Sequence, residues 1–261
     1  MNPLDGLQAG IDELLEELGS QNIFGVDSFY FSQYTFWMCV AIVFLLIVVF
    51  AAKKREALVP HGRFLNGVEF VVEWVRNDIA RGIIGKGADK HIPFILTVFF
   101  FIVISNLGGL IPGVKPATGT FSNTLALATI VFIYFNYYGM KHQGVGRYIK
   151  NLAPAGIGPL YPLVWCIELV SLFLRLFTLA IRLFANMYAG HIVMGVFALL
   201  ASMFLTSAIQ GAGALMGLPS IAWVLLLVCM YAIELLVAVI QAYVFTLLTT
   251  VYISLATSDA H

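Results

Sequence analysis

The chain has 261 residues, 61% hydrophobic and only 11% charged, with no net charge and a mean hydropathy of +0.93. A soluble domain carries roughly 25% charged residues, so a water-facing globule is excluded and lipid must be much of the solvent. Electroneutrality also excludes a nucleic-acid partner, which needs a basic excess.

Residues 1–27 contain no Lys or Arg, so they do not read as a cleavable signal peptide, which opens on a basic region. Leu4, Leu7, Ile11, Leu14, Leu15 and Leu18 recur at helical spacing among Asp5, Asp12, Glu13, Glu16 and Glu17. This predicts a short acidic amphipathic helix lying on the membrane surface or on a partner. Repulsion from anionic lipid favours the partner. Residues 28–52 are uncharged apart from their flanks and contain the apolar run Val40–Phe50. They are long enough to cross a hydrocarbon core, which takes roughly 20 residues. Lys53, Lys54 and Arg55 follow, placing that end inside and the acidic N-terminus outside.

Residues 56–90 mix Leu65, Val68, Val71, Val72, Val75 and Ile79 with Glu69, Glu73, Arg76 and Asp78. That period predicts an amphipathic helix in the inner interface. Residues 91–140 hold two further uncharged crossings, Ile92–Val114 and Pro116–Met140. Gly108, Gly109, Pro112 and Gly113 mark the outer turn. Lys141, Arg147 and Lys150 return positive charge to the inside, and Lys115 is the one basic exception outside. After Pro154, Gly156, Gly158, Pro159 and Pro162, residues 160–257 are apolar helical sequence broken at Gly211–Pro219. Each half exceeds what an upright helix needs, so each tilts steeply or is broken. The predicted fold is all-α and polytopic: about three upright transmembrane helices, one interfacial helix and a hairpin of two long tilted helices, with the C-terminus inside. Cys39, Cys166 and Cys229 sit in apolar runs without CxxC spacing, and read as buried small hydrophobes rather than disulfides or metal ligands.

Between Asn151 and Ser258 the ionisable residues, setting Tyr and Cys aside, are Glu168, Arg175, Arg182, His191 and Glu234. Charge at membrane depth is expensive, roughly 2.5–3.5 kcal/mol for an Arg on insertion scales, and defaults to a functional reading. Glu168, Arg175 and Arg182 are spaced by seven and share a helix face with Ser171, Thr178 and Asn186. A ladder of salt bridges is the structural alternative. Seven residues rise about 10.5 Å, too far for direct pairing. Arg182 has no acid three or four residues away, so its counter-charge must come from the other long helix or another chain. It is permanently protonated and a poor proton carrier. Ala180, Ala185, Ala189 and Gly190 keep this stretch slim enough to pack closely on another helix. His191 lies about 180° round from Arg182, and reads equally as a packing residue or a proton site. Glu234 and Gln241 share a face of the last helix with Tyr231 and Phe245. Burial disfavours the charged form of a carboxyl, which suits reversible protonation of Glu234.

The sequence has no phosphate-binding loop, HExxH, GxSxG or GxGxxG motif, so no enzyme site, cofactor or metal is indicated. Arg182–His191, reading RLFANMYAGH, resembles the signature of subunit a of F-type ATP synthases. Ile240–Tyr252, reading IQAYVFTLLTTVY, does so too, and Ser105–Gly113, reading SNLGGLIPG, is similar to a third family stretch. The resemblance covers most of residues 90–257. It implies a stator beside a rotating c-ring whose subunits each carry a membrane carboxylate. Arg182 matches the arginine facing those carboxylates. His191, Glu234 and Gln241 match the outer proton half-channel. Glu168, Ser171 and Arg175 match the inner one, and Asn186 is a polar neighbour of the arginine. Protons are the implied ion, and c-ring, peripheral-stalk b subunits and membrane lipid the implied partners. The implied site is a bacterial inner membrane, with the mitochondrial inner membrane as alternative. Some bacterial members carry acid and histidine exchanged between the positions of His191 and Glu234. A secondary transporter or self-contained ion channel is the competing class. It would want a midplane substrate site and internal repeats, and the sequence shows no repeat. A purely structural scaffold is a third reading, and the intramembrane polar seam argues against it.

Overall fold

The computed structural model describes residues 7–18, 33–53, 63–85, 87–111, 114–150, 160–207, 209 and 218–257. The described residues are almost entirely helical and contain no strand. In chain order the α-helices are α1 (Leu7–Leu18), α2 (Gln33–Lys53), α3 (Arg63–Trp74), α4 (Gly82–Ile84), α5 (Ile92–Gly109), α6 (Phe121–Gln143), α7 (Val145–Lys150), α8 (Tyr161–Ser207) and α9 (Leu218–Thr257). The predicted turns at 151–159 and 211–217 and the basic pair Lys54–Arg55 lie outside the described residues, as do 1–6 and 19–32.

Helices α2, α5, α8 and α9 are each long and apolar enough to cross a membrane. The predicted third crossing is the 23-residue α6. It is less apolar, with Asn123, Thr124 and Asn136 along it, and packs against α8 and α9, while its Tyr134 ring stacks on Phe94 of α5. Three of these helices open on X-Pro: Ile92-Pro93, Tyr161-Pro162 and Leu218-Pro219. Proline suits a first turn because its missing N–H would have no partner there anyway. The two long helices are continuous over 47 and 40 residues, about 70 and 60 Å. Between tilted and broken, the chain is unbroken. Against a core of about 30 Å, such lengths require steep tilt.

The interfacial segment runs on from α3 through a π-helical stretch, Val75–Arg81, into α4. Val75, Ile79 and Ala80 are buried, while Glu69, Glu73, Arg76 and Asp78 are exposed, as the period predicts. Trp74, outside the predicted face, joins the core by stacking on Tyr243 of α9 at 5.3 Å. The acidic helix α1 forms as expected, but its seat is this same chain. Leu14 fills the space beside Gly195 of α8, and Gly10 lies against Leu199.

Two expectations from soluble-protein rules fail. Cys39, Cys166 and Cys229 are free and exposed, not buried. In lipid the outward face is apolar, so small hydrophobes need no core. The four small residues on α8 also divide. Ala180 and Gly190 are buried against neighbouring helices of this chain, whereas Ala185 and Ala189 are exposed beside Arg182. A 3.6-residue period cannot put all four on one side.

Candidate functional site

Helix α8 carries two opposed faces. Leu179, Ala180, Leu183, Met187, Gly190 and Met194 form its buried stripe. Arg182 projects from the other side and is exposed among Ile181, Ala185 and Ala189. The ladder alternative fails here. Among the described residues the ion pair present is Arg81–Asp89 at 2.9 Å, far along the chain from the seam. Arg182 therefore has no acid of this chain within reach among them, and α9 supplies none. Arg175, Glu168, Ser171 and Asn186 are half-buried on the same flank. Thr178 drops out of the seam chemically, because its hydroxyl donates to the Leu174 carbonyl of its own helix at 2.8 Å.

Glu234 and Gln241 lie on the inward face of α9, 3% and 7% exposed. The Glu234 carboxyl packs on Gly190, where a Cβ would overlap it. Glycine at 190 is thus what lets a carboxylate-bearing side chain fit between α8 and α9. Asn186 Nδ2, Glu234 Oε1, Gln241 Nε2 and Thr246 Oγ1 are buried without a protein hydrogen-bond partner. Buried polar groups are nearly always hydrogen-bonded, to protein or to water. Several such atoms lie along α8 and α9. Thr249 and Thr250 on the same helix make the contrast, since their hydroxyls donate back to Phe245 and Thr246 carbonyls at 2.9 and 2.8 Å.

Sequence reasoning left the surroundings of this seam unassigned. Asn106 of α5 is fully buried. Its Nδ2 donates to the Ala238 carbonyl of α9 at 3.4 Å, and its Oδ1 accepts from Thr118 Oγ1 at 2.8 Å. It ties α5 and the 3₁₀ turn Ala117–Gly119 to α9 one turn beyond Glu234. A lone Asn in an apolar span was the available signal. His191 faces away from Arg182, as predicted, and lines a recess of about 30 Å³ with Tyr34, Lys115 and Tyr188, room for one or two waters. The Lys115 ammonium stands 5.6 Å from the Tyr34 ring centroid. Lys115, a basic residue of the 114–116 turn, is thus part of the surroundings of His191.

At the opposite end of the bundle, α7 is latched to the start of α8. Tyr161 Oη and Trp165 Nε1 donate to the Lys150 and Ile149 carbonyls, both at 2.9 Å. Tyr148 Oη donates to Asn136 Oδ1 at 2.9 Å. Burial pushes the Tyr148 phenol up, against an opposing pull from the Arg175 charge. The Arg175 guanidinium lies 5.5 Å from the Tyr252 ring centroid. No group of three His, Cys, Asp or Glu among the described residues is placed to hold a metal ion.

Residues 34–254 match the family described as ATP synthase A chain. The chain belongs to the ATP synthase subunit a family. Similar curated proteins are an ATP synthase subunit a from Anaeromyxobacter sp. (strain Fw109-5), 38% identical over 85% of this chain. Another is from Myxococcus xanthus, 35% identical over 86%. An ATP synthase subunit a 2 from Chlorobaculum tepidum is 38% identical over 85%. The chain spans 53%, 71% and 62% of the lengths of these three relatives. All eight candidate residues, Glu168, Ser171, Arg175, Arg182, Asn186, His191, Glu234 and Gln241, fall inside the span that matches the subunit a family, and α1 falls outside it.

Proposed function

We propose that this chain is the stator of a rotary ATP synthase membrane sector, offering two offset proton half-channels to the carboxylates of a rotating c-ring. The observation that carries the reading is the separation of charge types on α8 and α9. A permanent cation without an acid of its own, Arg182, stands on an open face. A titratable carboxyl, Glu234, and an unpartnered Gln241 amide lie behind it on the inward face of α9, and an unpartnered Asn186 amide lies on its own flank.

The outer half-channel leads past His191, Glu234 and Gln241, and the inner one past Glu168, Ser171 and Arg175. Asn186 lies beside the arginine. Arg182 attracts each deprotonated ring carboxylate and favours proton loss from a protonated one that approaches. A bare carboxylate entering lipid is costly, so it takes up a proton before moving on. Rotation is thereby tied to proton passage, and a direct proton route past Arg182 is blocked by its charge. ATP chemistry belongs to other subunits. Ala185 and Ala189 beside Arg182 leave room for a ring helix to approach. The peripheral-stalk b subunits are the second set of partners. The N-terminus lies outside and the C-terminus in the cytoplasm, in a bacterial inner membrane, in keeping with the bacterial sources of the relatives.

The test is Arg182→Ala, with ATP synthesis and passive proton permeability measured in the same vesicles. Synthesis is expected to vanish while passive leak persists or rises. Arg182→Lys also fails to couple normally, because a compact ammonium does not reproduce the planar fork. An assembled Arg182→Ala complex making ATP at the normal rate refutes the reading.

A further inference from the structure

Arg175 and Arg182 leave α8 on one face, seven residues or about 10.5 Å apart along its axis. They end in different surroundings. Arg182 is exposed, whereas Arg175 is half-buried with its guanidinium 5.5 Å from the centroid of the Tyr252 ring on α9. No acid takes part in this, since the Arg81–Asp89 pair is the ion pair among the described residues. The aromatic wall behind Arg175 is itself braced. Tyr252 packs on Phe135 of α6 at 5.8 Å. The Tyr148 ring of α7 fills the space beside Gly139, and its hydroxyl is fixed by Asn136. A ring face attracts a guanidinium without neutralising it, so Arg175 is held in place and keeps its charge.

We propose that Tyr252 is a positioning residue that draws Arg175 back from the open face of α8, leaving Arg182 to meet the passing carboxylates alone. This rests on the stator reading given above. Both arginines are permanent charges. A released Arg175 would offer a second cation on the same stripe, and a carboxylate captured there would dwell outside the place where Arg182 acts. The device is therefore a matter of where a charge is kept, and not of how many charges α8 carries.

The experiment uses intact complexes in membrane vesicles carrying Tyr252→Leu, Tyr252→Phe, Arg175→Gln or the pair Tyr252→Leu with Arg175→Gln. Loss of the ring lowers the ratio of retracted to released Arg175 by roughly twofold to thirtyfold. Tyr252→Leu is therefore expected to slow ATP synthesis, by up to about that factor. Tyr252→Phe keeps the ring face and more than about half the wild-type rate. On the Arg175→Gln background, Tyr252→Leu adds no further loss. A normal rate in Tyr252→Leu overturns the inference. So does an equal loss from Tyr252→Leu whether or not Arg175 is present, since the wall would then be structural only. If Tyr252→Leu does not assemble, Tyr252→Phe decides: loss of most activity there overturns the inference, because the hydroxyl is no part of the contact. Retained synthesis in Arg182→Ala would remove the stator reading itself. No synthesis in Arg182→Ala, with additive losses at 252 and 175, removes only this inference.

Discussion

Gly190→Ala adds one methyl group where there is no space for it. A Cβ at this position falls within overlap of Cδ and both oxygens of Glu234. The carboxyl is the far end of a flexible side chain that is only 3% exposed, so the new methyl is met first by a shift of Glu234 within the interface. Either α8 and α9 part locally or Glu234 leaves its rotamer, and both displace the titratable group from its place between the helices. Overpacking of this kind costs roughly 1–3 kcal/mol. Set wholly against the functional geometry, that is about 5-fold to 150-fold at 1.4 kcal/mol per decade. ATP-driven proton pumping in vesicles, normalised to assembled complex, is therefore expected to fall at least about fivefold. Glu234→Asp withdraws the carboxyl by one methylene, about 1.5 Å, and makes room for the new methyl. On the Gly190→Ala background it should raise pumping, although alone it lowers it. Wild-type pumping in Gly190→Ala, or a double variant that loses the product of the two single losses, refutes the reasoning.

Glu234→Gln keeps the shape and removes the proton site, so proton uptake should slow while assembly is retained; pumping equal to wild type from neutral to alkaline pH would sink the uptake role. His91, 5% exposed at the head of α5, accepts or donates with Tyr134 Oη at 3.1 Å and stands edge-on to Tyr138. Burial, and after it the Lys90 charge, hold its pKa below the ordinary histidine value. The unfolded chain then takes the proton first as pH falls through about 6.5, so stability is full above that value and is lost below it. The protection of the amides in the first turns of α5, taken against the unstructured-chain rate at the same pH, should fall between about pH 7.5 and about pH 5.5, and His91→Gln should flatten that dependence. An equal loss of protection in both proteins would count against the mechanism.

Much of the fold was legible because membrane spans announce themselves by length. The uncharged stretches became α2, α5 and α6, the two long apolar ones became α8 and α9, and the excess length of the last two pointed to tilt. The spacing of Arg182, Arg175 and Glu168 put them on one flank, and His191 on the opposite one. What periodicity could not supply was the meeting of distant segments. The recess around His191 joins α2, the 114–119 turn and α8. Asn106 reaches a carbonyl 132 residues away. The seat of α1 on Leu199 and Gly195 depends on glycines whose meaning is steric and appears only once a neighbour is in place. Tyr252 was read as part of a family stretch, yet its contact with Arg175 needs α8 and α9 side by side.

The failed expectation for the cysteines has a physical cause that bears on Arg182. In water, burial is reserved for apolar side chains, and exposed charge costs nothing. Here the outward faces of α2, α8 and α9 are mostly Leu, Ile, Val and Phe, and the cysteines stand among them. The interior takes Asn106, Thr118, Glu234, Gln241 and the threonines of α9. The outward face is thus apolar, while the interior admits both apolar and polar side chains. By that rule Arg182 is on the wrong side, open on the flank it shares with the half-buried Arg175, Glu168, Ser171 and Asn186. An arginine so placed costs roughly 2.5–3.5 kcal/mol on insertion scales and more in simulations, and no acid among the described residues of this chain offsets it. The buried polar groups satisfy the rule, whereas Arg182 satisfies it only when another chain brings a carboxylate to that face. Glu234 and Gln241 could serve any water-filled path. On the stator reading proposed above, the unmatched cation of Arg182 is met by a ring carboxylate that comes and goes.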